Sequence, residues 1–366
     1  MDRFEAKALF AQHAPRLAMD GVHLLPSVQA YVSDEIRSNF DLAMDATFQV
    51  QPLTINNSSI PGLLTTYIDP QIVEILFAPI AATKIVSERK WGDWTMDTAM
   101  IPVVEYTGEV TSYGDFDEVG SSGVNTNFPQ RQSYHFQTMK RWGERELERA
   151  GLAKINWVSS IDKAATMTLK RFENYGYFFG IQNLQNYGLL NDPNLLASLT
   201  PGVKSNGNGN VWMFNNAPNA TANEVYNDIL AMYTQMVAQT NGVVDEDTKF
   251  VLALSPASKP ALKITNSFNV NVETLLKENF KNIRIETAPQ YGQITASNPE
   301  GISGGNFMQL IAEEIEGVET AFVAYTEKLR QHPIIRGASS WKGKITGGIW
   351  GAVIRRPAGI VSMLGI

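Results

Sequence analysis

The chain contains no cysteine in its 366 residues. This absence excludes disulfide bonds, thiolate zinc sites, iron–sulfur clusters and cysteine nucleophiles. It fits a reducing cytoplasm, and it fits a secreted bacterial protein almost as well. Histidine is scarce too: His13, His23, His135 and His332 are scattered, and none has a second histidine or a carboxylate at the spacing of a zinc-binding helix. The sequence therefore predicts no metal site.

Long apolar runs are also missing. The most apolar stretch begins at Ile345 and is interrupted by Arg355-Arg356-Pro357. Neither half reaches the roughly 18 residues that a spanning helix needs. The first seven residues carry mixed charge and no apolar core. We therefore predict neither a signal peptide nor a membrane-spanning segment.

The composition is that of a globular chain, with 44% hydrophobic and 18% charged residues. Its length suits two or three folding units. The net charge of −7 argues against a nucleic-acid binder of the basic type. Charge is uneven, however, because residues 328–366 hold seven lysines and arginines and no acid. These cations attract phosphate at low salt, but they alternate with strand and turn residues, so pairing with acids elsewhere explains them equally well.

Three motifs come close to a catalytic signature without completing it. Residues 337–345 resemble a phosphate-binding loop, but they have one spacer too many and Ile345 where Ser or Thr must stand. Gly301-Ile-Ser303-Gly-Gly305 lacks the strand–turn–helix context of a nucleophile elbow. Ser339-x-x-Lys342 has no supporting second motif. We predict no catalytic residue and no cofactor, and hence that the protein is not an enzyme.

Two acidic runs are weak candidates for calcium, because clustered carboxylates suit hard cations. They are Asp115-x-Asp117-Glu118 and Asp245-Glu246-Asp247. The favoured interpretation of both is a solvated loop, so no metal ligand is assigned.

The first half of the chain has an unusual organisation. Residues 1–65 are broken by four prolines and predict an arm whose ordering depends on the rest of the chain or on a neighbour. A helix is predicted over 67–86. Residues 107–132 are then rich in Gly, Ser, Asn and acids, between β-like segments at 101–106 and 134–138. This pattern predicts a long two-stranded excursion with a polar tip, and loops of that length are usually functional or disordered.

The second half alternates helices and strands. Residues 142–179 predict two helices, the second long, with an apolar stripe that includes Ala165 and Leu169. Thr221-x-x-Glu224 is a capping box that opens another helix. Further elements are predicted as strands at 250–254, 283–287, 307–311 and 321–325 and as a helix at 272–280. A compact α/β unit over about 200–300 follows from this order.

The order of these parts resembles the major capsid proteins of tailed bacteriophages, which have the Hong Kong 97 type of shell fold. The resemblance covers about residue 65 to the end. Its most specific points are the long helix around 156–180, the following Tyr187-Gly-Leu-Leu-Asn-Asp-Pro193, and the run from Trp350 to Ile360. None of these is a catalytic signature, so the match is one of organisation.

The resemblance implies an α+β fold with an N-arm, an E-loop hairpin, a long spine helix, a peripheral domain and an α/β axial domain. The implied ranges are 1–65 for the N-terminal arm, 96–135 for the E-loop, 156–180 for the spine helix, 66–95, 136–200 and 305–345 for the peripheral domain, and 201–304 and 346–366 for the axial domain.

The resemblance also implies a function. Subunits would form hexamers and pentamers that close an icosahedral head around double-stranded DNA, which the wall contacts non-specifically. The protein would lie in the virion, be assembled in the host bacterial cytoplasm and involve no membrane. Scaffold, portal and decoration proteins are further possible partners. Residues 1–65 are short for a fused scaffold, so we expect a separate scaffold or none, and no Lys–Asn cross-link is assigned.

Two alternatives remain open at this point. An encapsulin-like compartment would use the same fold around enzyme cargo instead of DNA. An α/β enzyme would have its site within residues 200–300, although no nucleophile–base pair, metal cluster or phosphate loop supports it.

Overall fold

A computed structural model describes residues 80–113, 115, 120–152, 156–215, 217–296 and 298–366. The predicted N-terminal arm, most of the predicted helix at 67–86, and His13 and His23 lie outside this part of the chain. Residues 79–294 and 300–366 make up one compact unit. Of the other unit, only a turn within 295–299 is described, where Thr295 and Asn298 exchange backbone hydrogen bonds of 3.2 and 3.0 Å.

The α-helices of the described chain are, in order, α1 (Ala82–Ile85), α2 (Glu144–Leu152), α3 (Trp157–Phe179), α4 (Ala222–Gln239) and α5 (Val272–Asn279). The first part of the strand series is β1 (Ser87–Lys90), β2 (Thr98–Met100), β3 (Val103–Gly108), β4 (Ser122–Asn127), β5 (Gln130–Gln132), β6 (Tyr134–Gly143), β7 (Met213–Phe214), β8 (Ala217–Pro218) and β9 (Phe250–Leu254). The remaining strands are β10 (Ile283–Thr287), β11 (Phe307–Ala312), β12 (Glu314–Ile315), β13 (Val318–Glu319), β14 (Ala321–Gln331), β15 (Ile335–Arg336), β16 (Ser340–Ile354) and β17 (Ile360–Leu364).

The two long helices begin and end where local chemistry predicts. The Asn156 side chain accepts a hydrogen bond from Ser159 N before α3, which ends at Gly180 with φ +63°. At α4, Thr221 and Glu224 form both hydrogen bonds of a capping box. The hydrogen bond from the Thr221 backbone N–H is the main reason that the pKa of Glu224 falls to about 2.

The larger sheet has five strands in the order β1-β14-β16-β15, with β6 also paired to β16. β1 runs parallel to β14, and the other neighbours are antiparallel. Helix α3 packs on one face of this sheet, where Leu169 and Ala165 contact Ile345 and Phe136. The predicted apolar stripe of α3 is therefore a core face.

The smaller sheet has four strands in the order β10-β9-β11-β17. Side chains alternate across its central strand β9, so Leu252 contributes to one apolar core and Val251 to the other. The first core lies against α4 and α5. The second core also contains Phe178 from α3 and Val323 from the larger sheet. The two sheets thus share a buried layer.

Most predicted elements are confirmed, including the two helices within 142–179, the strands at 250–254, 283–287, 307–311 and 321–325, and the helix at 272–280. Trp142 differs, because it lies in β6 rather than in a helix. The segment 134–138 also differs: it pairs with β16, whereas the partner of 103–108 is 122–127. The two paired strands of the excursion therefore lie closer to its tip than the predicted segments 101–106 and 134–138.

The sheets do not follow the domain ranges implied by the resemblance. β11 lies between β9 and β17, although the range 305–345 placed it in the peripheral domain. The implied boundary at 345/346 falls inside β16, which is a single strand. Sequential order alone cannot reveal this, because strand neighbours are set by pairing across the chain. Which sheet serves which domain of a shell subunit stays a prediction.

Candidate assembly surface

Strands β3 and β4 form a hairpin that is exposed along its whole paired length. We call residues 103–127 the distal hairpin. The strands pair antiparallel from Val103 opposite Asn127 to Gly108 opposite Ser122. All six positions of each strand are exposed. The strands β3 and β4 therefore contribute no buried side chain to a core of their own subunit.

The two faces of the distal hairpin differ in chemistry. Side chains of directly opposed residues share a face, and successive residues alternate. One face carries Val104, Tyr106 and Val124, which are 48%, 84% and 58% exposed. On the other face, Asn125 Nδ2 donates to Glu105 Oε2 at 3.2 Å. The first face thus presents three apolar side chains to solvent, whereas the reverse face is more polar, with Glu105 and Asn125 beside a single apolar side chain, Val103.

Two prolines separate the distal hairpin from the part below it, residues 98–102 and 128–132, which we call the hairpin base. Pro102 interrupts the strand between β2 and β3, and Pro129 interrupts its partner between β4 and β5. Proline lacks an N–H and cannot donate to a ladder. The backbone N–H of Ile101 still donates to Pro129 O at 3.0 Å. Through this hydrogen bond, backbone pairing continues from the hairpin base into the distal hairpin.

The hairpin base is held by the turn at 185–192. Arg131 Nη2 lies 2.5 Å from Asp192 Oδ2, and these side chains are only 5% and 0% exposed. The next residue, Gln132, donates its backbone N–H to Gln185 O at 2.9 Å. Asn186 Nδ2 donates to Gln132 O at 3.0 Å. A buried ion pair and two backbone-directed hydrogen bonds thus fix β5 to this turn.

The other strand of the hairpin base packs on the larger sheet. Ala99 and Ile101 contact a small core that contains Trp350 and Phe322. Trp91 joins the same core, and its carbonyl accepts a 2.6 Å hydrogen bond from Trp350 Nε1. The hairpin base is therefore anchored on both strands, in contrast to the distal hairpin.

His135, one of the four histidines, lies at the foot of the hairpin. Its ring stacks on Trp94 with centroids 4.4 Å apart, and its Nε2 lies 3.0 Å from Trp94 O. His332 lies after β14 and contacts Thr346 Oγ1 through Nε2 at 3.1 Å. Within the described ranges, no cluster of three or more His, Cys, Asp or Glu could hold a metal ion.

The near-catalytic motifs occupy ordinary structural positions. Residues 337–340 form a turn closed by a 2.6 Å hydrogen bond from Gly337 N to Ser340 O, and residues 340–345 already belong to strand β16 instead of a helix. Ser339 lies in that turn, and Lys342 pairs across the sheet with Arg141. Ser303 is followed by strand β11, so the strand–turn–helix of a nucleophile elbow is not formed.

In one of the two acidic runs considered for calcium, Asp245 has an ordinary structural role. Asp245 accepts hydrogen bonds from the N–H and the hydroxyl of Thr248, at 3.0 and 2.8 Å, which caps a turn. Asp115 is exposed, while Asp117 and Glu118 lie outside the described residues. Within the described part of the chain, three of the seven cations after residue 327 form ion pairs with acids, namely Lys328 with Glu88, Arg330 with Glu327, and Arg356 with Glu316.

Sequence reasoning did not find Arg131 and Asp192. Asp192 lies in the run 187–193 that the sequence singled out, but nothing in the sequence links it to an arginine 61 residues earlier. A single arginine in a polar stretch is usually exposed to solvent, so the sequence does not indicate that Arg131 is buried. No α-helix in the described chain is long and apolar enough to cross a membrane.

Comparison with known proteins gives a match over nearly the whole chain. The family described as Pa193 gp26 major capsid protein matches residues 51–365. No curated protein matches.

Solved capsid structures share the fold. The capsid of Myoviridae phage XM1 superposes with a TM-score of 0.69 at 14% identity, covering 85% of this chain and 100% of the other. The capsid of the native GTA particle gives 0.54 at 11% identity, covering 82% and 94%. The Gordonia phage Cozz structure gives 0.52 at 10% identity, covering 83% and 92%. These matches support the Hong Kong 97-like fold and do not favour a cargo compartment or an α/β enzyme. The chain belongs to the Pa193 gp26 major capsid protein family, and its role is that of a structural subunit of an icosahedral phage capsid.

Proposed function

We propose that this capsid protein closes a phage head through hexamers and pentamers, and that the distal hairpin is the part that engages a neighbouring subunit. The observation that carries the proposal is the apolar face of Val104, Tyr106 and Val124 on a ribbon whose residues are all exposed. An isolated two-stranded hairpin is at best marginally stable in water. Exposed apolar patches rimmed by polar residues mark interaction sites. A neighbouring copy supplies the missing cover.

The polar character of the rest of the hairpin is compatible with this use. Shell contacts are numerous, and each one can be modest and partly polar. On this proposal the E-loop predicted at 96–135 is the hairpin from Thr98 to Gln132, and α3 is the spine helix. The larger sheet and α3 form the peripheral domain. The smaller sheet with α4 and α5 forms the axial domain, which then includes β11 and excludes the end of β16.

Double-stranded DNA is the proposed content, contacted without sequence specificity. A net charge of −7 is compatible with that role, because a wall that only encloses DNA does not need the basic surface of a DNA-binding protein. We propose a non-enzymatic role, a location in the virion and assembly in the cytoplasm of the host. Scaffold, portal and decoration proteins are the further partners that head assembly would draw on.

The test is a deletion confined to the distal hairpin. Residues 104–126 are replaced by a short Gly-Ser linker, which leaves Arg131 and the rest of the hairpin base intact. We expect a folded subunit with an unchanged melting temperature that forms no closed particle in light scattering and negative-stain microscopy. The wild-type chain, co-expressed with candidate scaffolds where it does not assemble alone, is the control. Closed particles of normal size from the deletion would refute the proposal.

The content of the particle is tested separately. Wild-type particles purified from infected cells are analysed for nucleic acid by absorbance and for co-purifying protein by mass spectrometry. Nuclease-protected DNA supports the phage head. Protein cargo without DNA contradicts it and points to a compartment.

A further inference from the structure

In the described part of the chain, the side chains of strands β3 and β4 are not packed against the body of the subunit. Every position of both strands is exposed, and the hydrogen bond from Ile101 N to Pro129 O continues the pairing from the hairpin base into the distal hairpin. The orientation of such a ribbon relative to the subunit follows the orientation of the hairpin base. The direction of the hairpin must therefore be set below the two prolines.

The turn at 185–192 is itself fixed to the rigid body of the subunit. Leu189 and Leu190 donate their backbone N–H groups to Tyr177 O and Phe178 O in the last turn of α3, at 2.9 and 3.0 Å. Ala352 N donates to Tyr187 O at 2.8 Å, which ties the turn to β16. The turn is thus bonded to both the long helix and the central strand of the larger sheet.

Arg131 and Asp192 are the charged connection between this turn and the hairpin base. The guanidinium also lies over the Tyr187 ring, 4.8 Å from its centroid. Asp192 uses its other oxygen, Oδ1, to accept from Asn194 N at 2.9 Å, so the carboxylate is oriented by its own turn. An arginine fork that meets an oriented carboxylate and an aromatic face has little freedom to rotate.

The pair is poorly explained by stability alone. Burying two charges costs several kcal/mol of hydration for each ion, and the mutual attraction often no more than offsets that cost. Arg131 Nε is buried and has no hydrogen-bond partner in the described part of the chain. Buried ion pairs of this kind are best known for selecting one arrangement over others.

We propose that Arg131 and Asp192 are positioning residues that hold the distal hairpin in a single direction, so that its apolar face is ready for the neighbouring subunit. Only the statement that the apolar face is ready for a neighbouring subunit rests on the proposed function. The direction of the hairpin within one subunit is a property that can be measured without assembly.

The experiment uses the absence of cysteine, because two introduced cysteines give two unambiguous spin labels. Ser122→Cys places a label on the exposed strand β4, and Ala164→Cys places one on an exposed position of α3. Distances between them are measured by pulsed electron paramagnetic resonance in the unassembled full-length chain. The comparison is between this background and the same background with Asp192→Asn, which keeps the Oδ1 acceptor and removes the charge.

Asp228→Asn is the matched control. Asp228 Oδ2 also forms a 2.5 Å buried pair, with Lys204, and accepts from Trp212 Nε1 at 2.7 Å, far from the hairpin in sequence. Both variants are expected to lower the melting temperature. Only Asp192→Asn is expected to broaden the distance distribution. Where Asp192→Asn fails to fold, Arg131→Lys replaces it, because lysine keeps the charge and loses the fork.

An unchanged, narrow distribution in Asp192→Asn or Arg131→Lys would overturn the proposal, as would equal broadening in Asp228→Asn. Assembly of the unlabelled variants is then scored separately. Loss of preorganisation is expected to slow particle formation roughly tenfold in Asp192→Asn relative to Asp228→Asn. Broadening with normal assembly would keep the positioning role within the subunit and overturn the clause that this positioning prepares the hairpin for a neighbouring subunit.

Discussion

The hydroxyl of Tyr177 lies 2.8 Å from Oε1 of Glu173, one turn earlier on α3. The same hydroxyl lies 2.9 Å from Oε1 of Glu88 on β1. A phenol has one proton to donate, so two hydrogen bonds require a proton on one of the carboxyl groups. Burial is the main cause that raises the pKa of Glu173, and nearby Glu88 raises it further, against the Tyr177 hydrogen bond and Lys328. Burial therefore favours the protonated form of Glu173 in this arrangement.

Replacement of Glu173 by Gln should therefore flatten the pH dependence of stability. Because the pKa of Glu173 is raised in the folded state, the folded chain binds a proton that the unfolded chain releases. The associated stability is full below the unfolded glutamate pKa of about 4.3 and is lost as pH rises through the folded pKa. Glu173→Gln should gain stability relative to wild type over that range in urea unfolding of the unassembled subunit. Glu148→Gln, on exposed α2, is the control, and parallel curves for Glu173→Gln and wild type would contradict the assignment.

Truncation of Leu169 should destabilise the subunit itself. The side chain is 4% exposed and packs against Ile345 and Phe136. Leu169→Ala should cost about 2–5 kcal/mol in unfolding free energy, and Leu169→Asp more, because an unpaired charge would be buried. Met167, on the same helix and 37% exposed, gives the control Met167→Ala, expected within about 0.5 kcal/mol of wild type. Equal effects at both positions in urea unfolding would show that the stripe is not a core face.

A side chain at Gly351 should not be tolerated. Gly351 has φ +76°, and a Cβ there would lie 2.3 Å from Tyr187 O, a backbone atom. Gly351→Ala combines strain with a clash and should cost about 3 kcal/mol or more. Gly151→Ala on α2, where nothing lies within 4 Å of the added Cβ, should be neutral or stabilise by about 0.5–1 kcal/mol. Thermal unfolding distinguishes the two, and a melting temperature for Gly351→Ala near that of wild type would disprove the close approach.

The apolar face of the distal hairpin should matter for assembly and not for folding. Tyr106→Ser removes a ring that is 84% exposed, so the melting temperature of the subunit should not change. Aromatic side chains dominate many interfaces, and particle yield should fall about tenfold or more. Thr107→Ser, on the opposite face, is the control. Similar particle yields for both variants by light scattering would place the contact elsewhere.

Much of the fold follows from local sequence signals. The capping box at Thr221 and the apolar spacing of α4 predict that helix, since both signals act within one or two turns. The stripe through Leu169 predicts the buried face of α3 for the same reason. The buried strand β9 is predicted by a short run of apolar residues between turns. The order of these elements was sufficient to indicate the capsid family.

Strand partners and the anchoring of the hairpin were decided by the tertiary structure. β6 pairs with β16 across about 200 residues of chain, and β11 inserts between β9 and β17. Arg131 in β5 meets Asp192 because the hairpin base and the turn at 185–192 both contact the larger sheet. The sequence by itself determined the helices, their buried faces and the polar excursion, because periodicity and capping are local. Only the tertiary structure decided which strands pair, which face of the distal hairpin is apolar and what holds its base, because those depend on register and on contacts between distant segments.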